Sequence, residues 1–243
     1  MGANASAATQ DLPQEQARPW QHSAMASGTV VAVGGAEAEA LTPQLGNALR
    51  EIAQGEQALI LPTAAAFERP EQVALEVATW LGEQGWLSEA LMVTSHAEAN
   101  DEALVARLAE QQLVVLTSGA ALHLRQVLLR SKLVEALASV HANGGTVLGI
   151  GAGAHVLADP MFDERGGGVT TGAGLCEVVL ATAPSGDDYA ATFTRCATLL
   201  DPGLDLLAVP AGSAVLVRDG GYEAVVGTTS WFRGGALVEE LGR

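Results

Sequence analysis

Two periodicities alternate along the chain. Short, uninterrupted apolar runs recur at residues 28–35, 58–63, 91–94, 113–119 and 146–149. Rich in Val, Ile and Leu, they read as strands covered on both faces. Between them apolar residues return at helical spacing, as in Leu45, Leu49 and Ile52, then Val73, Val77, Trp80 and Leu81. That stripe predicts helices that each bury one face. Thr42-Pro43 supplies an N-cap and a proline at the first helical position. Gly85 stops a helix predicted over 70–84. Further helices are predicted over 101–110, 120–129 and 132–141. Five strands alternating with helices predict an α/β fold, a doubly wound and mostly parallel sheet.

After Pro160 the pattern changes. Strands are predicted over 178–181, 206–209, 214–217 and 224–226, with a helix over 189–200. Asp219-Gly220-Gly221 turns two of these strands into a hairpin. This stretch predicts a C-terminal antiparallel extension of one domain spanning 28–243. Residues 1–27 read as a flexible tail, and Met25 is an alternative start.

The fifth strand runs into Gly149-Ile150-Gly151-Ala152-Gly153. The layout is that of a nucleophile elbow, G-x-S-x-G, in which a tight strand-to-helix turn lifts a reactive side chain above the sheet. Here the middle position is Gly151. The turn is present and the hydroxyl is not.

Composition narrows the chemistry. Twelve Lys and Arg against 28 Asp and Glu give a net charge of −16. Phosphate neutralisation needs Lys/Arg clusters, and none appears, so a nucleic-acid surface is not expected. Cys176 and Cys196 sit among apolar residues and read as core positions rather than a disulfide framework. The first 27 residues lack the basic and apolar regions of a secretory signal, and no later run is long enough to span a bilayer. A soluble cytoplasmic protein is expected. The glycines miss the dinucleotide-binding spacing and no H-x-x-x-H pair occurs, so neither cofactor nor metal is expected.

Taken in order, the motifs resemble those of the cyanophycinase / dipeptidase E family of serine peptidases, which has the class I glutamine amidotransferase-like fold. The likeness runs from about residue 28 to 226. It includes Val33-Gly34-Gly35 at the first strand end and Leu61-Pro62-Thr63-Ala64 at the second. Thr117-Ser118-Gly119-Ala120-Ala121-Leu122 is similar to the family's T-G-G-D-Q-x-x-L. Residues 149–154 stand where the family has G-T-S-A-G-A, and Gly172-Ala173-Gly174-Leu175 where it has G-L-G-L. The resemblance implies that the nucleophilic serine falls on Gly151 and that the polar loop positions fall on Ala120 and Ala121. The catalytic histidine falls on Tyr189 or Pro184, depending on the alignment. His155 is the last histidine in the chain.

Acyl transfer on this template needs an activated nucleophile, a base and an oxyanion hole. Only the hole is backbone, from the N–H groups of Ala152 and of Gly119 or a neighbour. Ser118 reads either as a substitute nucleophile or as a loop hydroxyl satisfying a turn. His155, one helical turn past Gly151, reads either as a substitute base or as a packed helix residue. His96 and His123 follow strands at the same sheet edge. Asp187-Asp188 and Asp159/Asp163/Glu164 are acidic clusters that would suit an arginine-like ligand or simply face solvent. Three functions follow. The first is a noncatalytic homologue that binds a small peptide or amino-acid-like ligand or a partner, with a homodimer as the candidate assembly. The second is a hydrolase of aspartyl peptides using Ser118. The third is a structural subunit with its crevice filled.

Overall fold

The computed structural model describes residues 28–163, 168–183 and 189–242. Five parallel strands form its centre: β1 (Thr29–Val33), β2 (Gln57–Leu61), β3 (Leu87–Ala90), β4 (Leu113–Leu116) and β5 (Thr146–Ile150). β10 (Ala214–Arg218) and β11 (Gly221–Val226) add an antiparallel pair beside β1, giving the order β11-β10-β1-β5-β4-β2-β3. The Asp219-Gly220 hairpin turn has positive φ at both central residues, 52° and 73°. That is the twist a two-residue loop needs between antiparallel strands.

Alternation along β1 builds a core on each face. Val31 and Val33 pack with α2 (Pro43–Ile52) and α3 (Pro70–Glu83) through Leu45, Leu49, Val77 and Leu81. Val30 and Ala32 face the other side, with α5 (Ala121–Leu128), α6 (Lys132–Ala142) and α7 (Ala152–Leu157). Each such fully buried aliphatic side chain contributes about 1.5–3 kcal/mol. Thr42 caps α2 as its sequence position predicts, accepting from the Leu45 N–H at 3.2 Å.

The C-terminal extension is more than an antiparallel appendix. β8 (Val179–Thr182), β9 (Asp205–Val209), β12 (Thr228–Arg233) and β13 (Ala236–Gly242) form a separate four-stranded sheet, in which β8 and β9 run parallel. Leu180 and Leu207 point into the core beneath the central sheet. Val179, Ala181, Leu206 and Ala208 point the other way, against Phe193 and Cys196 of α8 (Tyr189–Leu199). Asp205 of β9 links the two sheets by accepting from Tyr222 Oη of β11 at 3.1 Å, and within its own sheet accepts from Arg233 Nε of β12 at 2.6 Å.

Several expectations shift. The third strand lies at 87–90 rather than 91–94, because an edge strand alternates exposed and half-buried residues and the apolar signal falls on the buried residues after it. The helix expected over 101–110 is the single turn α4 (Glu102–Val105) between 3₁₀ turns at Glu98–Asn100 and Ala106–Leu108. The short helix α1 (Glu37–Ala40) and the hairpin of β6 (Met161–Asp163) and β7 (Gly168–Thr170) carry no periodic signal and were not expected. No described helix is long and apolar enough to cross a membrane.

Candidate functional site

The elbow is built by close approach. Gly149 and Gly153 flank it because a Cβ at either would meet backbone: the Ala154 nitrogen at 2.5 Å and the Leu116 carbonyl oxygen at 2.4 Å, respectively. α7 can therefore settle directly onto β4 and β5. Between the two, Gly151 takes φ 51° and ψ −110°, a conformation that favours glycine. Its N–H donates to the Val33 carbonyl at 2.9 Å, so the turn is anchored to the end of β1.

The space above that turn is occupied. A Cβ at Gly151 would lie 2.7 Å from the Gly35 carbonyl oxygen and 3.3 Å from Ser118 Cβ. The ends of β1, β4 and β5 thus close over the position from which a side chain would rise. Glu37 completes the closure, with only 6% of its surface exposed. One carboxylate oxygen accepts the Ser118 backbone N–H at 2.8 Å, and the other accepts the Ser118 hydroxyl. Gly119, at φ 132°, cannot be another residue, since a Cβ would fall 2.4 Å from the Ala64 carbonyl oxygen. The next amide, Ala120 N–H, is spent on that same Ala64 carbonyl at 2.8 Å.

Residues 24–181 match the profile of peptidase family S51. The chain belongs to peptidase family S51. Two solved structures share the fold. One is a peptidase from an acI-B1 Actinobacterium, with 20% identity and a TM-score of 0.71, covering 89% of this chain and 97% of the other. The second is a putative peptidase E protein from Listeria monocytogenes EGD-e, with 16% identity and a TM-score of 0.61, covering 82% and 98%. No curated protein matches the chain.

Within this S51 chain the other sequence candidates separate. His155 does not join Ser118. Its ring is buried, its Nε2 accepts the Thr182 N–H at 2.9 Å, and it packs edge-on to Phe162 with centroids 6.1 Å apart. Burial pushes its pKa down to about 4, leaving it neutral near pH 7. The reading of His155 as a packed helix residue is the one its contacts match. His96 Nδ1 lies 3.0 Å from the Val127 carbonyl oxygen and His123 Nε2 lies 2.9 Å from that of Thr94, so each ring donates to backbone. Asp159 accepts from the Gly172 N–H at 3.2 Å, and Asp163 lies in β6, so neither is gathered at the elbow. Pro184, Asp187, Asp188, Glu164 and the Tyr189 side chain lie outside the described residues. Among the described residues no three His, Cys, Asp or Glu side chains gather as a metal site requires.

Glu37 is the site residue that sequence reasoning missed. The sequence Ala36-Glu37-Ala38-Glu39 looks like a solvated helix start. Glu39 behaves that way, turning back to accept the Ala36 N–H at 2.8 Å. The available signal was the adjacency of Gly34-Gly35: a strand ending in two glycines bends at once, and the second side chain after the bend, Glu37, returns over the sheet edge.

Proposed function

We propose that this protein is a noncatalytic member of peptidase family S51 whose acyl-transfer crevice is closed from within. One observation carries this reading: where a nucleophile would stand there is a glycine with no room for a Cβ, and the neighbouring Ser118 has its hydroxyl and its amide both held by Glu37. The chemistry supports it. Loss of the nucleophile alone costs about 10⁶ in kcat on comparable acyl-transfer templates. No histidine follows His155 in the chain, and His155 is engaged by Thr182.

A second reading has its own observation. The Ser118–Glu37 hydrogen bond pairs a hydroxyl with a carboxylate, the minimal form of an activated serine. A fluorophosphonate probe separates the two. The noncatalytic reading predicts no covalent adduct on the wild type after prolonged incubation. Stoichiometric labelling that disappears in Ser118→Ala would establish the hydrolase instead.

A further inference from the structure

A cavity of about 610 Å³ lies away from the elbow, along one face of α5. Leu122, Arg125, Gln126, Leu129 and Arg130 line this open cleft, three, one, three and one residues apart, together with Thr171. Two features set it apart. The chain carries 28 acidic and 12 basic residues, yet among the described residues this lining holds two arginines and no carboxylate. Among the described residues neither guanidinium has an acidic partner: Arg125 Nε donates to the Thr171 carbonyl at 2.6 Å, and no ion pair engages either residue. Among the described residues no partner engages the two Arg125 terminal amino groups, which suits them to a fork-like contact.

The second feature is backbone. Arg130 follows the end of α5 with φ 57°, the left-handed position at which helix termination favours glycine. An arginine there accepts strain that glycine would avoid, and it sets a second guanidinium at the cavity one turn beyond Arg125. Strain of this kind collects at ligand sites. Leu122 and Leu129 supply an apolar wall beside the cations, and the volume falls in the range of small-molecule sites.

We propose that this cavity binds a small anion bearing a carboxylate or phosphate group, clamped between Arg125 and Arg130, with its apolar portion against Leu122 and Leu129. The site is separate from the elbow and does not depend on whether the elbow is catalytic.

Calorimetric titration of the full chain with succinate and with inorganic phosphate, each against chloride at matched ionic strength, tests it. At least one anion binds the wild type. Binding of succinate alone marks an organic carboxylate, binding of phosphate alone marks a phosphate, and binding of both marks their shared chemistry. Arg130→Gly relieves the backbone and removes the cation, so its Tm should stay at or above wild type while affinity falls about tenfold or more. Arg125→Ala should weaken binding similarly. Arg107→Ala removes a cation paired elsewhere with Glu89 and should bind as the wild type does. Heat from neither anion above chloride, undiminished binding by Arg130→Gly, or equal weakening by Arg107→Ala would overturn the proposal.

Discussion

Replacing Gly151 with serine restores the family's missing hydroxyl, and the geometry predicts damage rather than activity. At φ 51° and ψ −110° a residue with a Cβ occupies a sparsely populated region, at about 1–3 kcal/mol. The new Cβ also sits 2.7 Å from the Gly35 carbonyl oxygen, a backbone atom that cannot swing aside as a side chain could. Overpacking of this kind costs a further 1–3 kcal/mol or so. The sum, about 4 kcal/mol at mid-range, corresponds to a fall in Tm of about 8–16 °C for a chain of this size. Gly151→Ala should show most of the same loss, because the Cβ causes it. Gly82 in α3 is the control: nothing lies within 4 Å of its Cβ position, so Gly82→Ser should leave the Tm near wild type. Thermal and urea unfolding read the stabilities, and aspartyl-dipeptide hydrolysis reads activity. A Gly151→Ser protein as stable as the wild type would refute the closed-crevice geometry. A stable variant with new turnover would refute the noncatalytic account as well.

His155 makes stability depend on pH. Its folded pKa of about 4 lies below the unfolded value near 6.5, so the unfolded chain binds more protons between them; stability is complete above pH 6.5 and declines by up to about 3 kcal/mol as the pH falls toward 4. His155→Gln, which keeps an acceptor for Thr182, should flatten that decline in urea midpoints, and parallel curves would show that another group is responsible. Asp205→Ala removes the acceptor shared by Tyr222 and Arg233 and should cost about 1–3 kcal/mol. A midpoint unchanged from wild type would mean the two sheets are held together by apolar packing alone. Burial raises the Cys176 thiol to about 12 and also shifts the Cys196 thiol upward, so neither should react with a thiol reagent in the native protein, whereas both should react once unfolded. Fast labelling at native pH would contradict their placement.

Legibility divided along physical lines. The inner central strands were plain because their continuous apolar runs are buried on both faces, and the helices over α2, α3, α5 and α6 because each has one period and one buried face. The elbow was plain because glycine spacing reports close backbone approach locally. The four-stranded sheet was not, because β12 and β13 carry several exposed positions and their apolar residues do not alternate cleanly. Leu237 and Val238, for example, are both exposed. At the site, the loss at Gly151 could be read directly, but the role of Ser118 could not. Its partner is 81 residues away, and Glu37 shows its burial only once β1 and β4 are brought together by β5. The surroundings of His155 were hidden for the same reason: β8, whose Thr182 donates to its Nε2, belongs to a sheet that the periodicity did not reveal.

The most direct measurement of the central claim is the rate at which the purified wild-type chain hydrolyses aspartyl dipeptides, followed by release of free aspartate, with Ser118→Ala as the paired sample. A closed crevice predicts the same background release from both proteins. Multiple turnovers by the wild type, abolished in Ser118→Ala, would mean that Glu37 activates Ser118 and that the site is an enzyme.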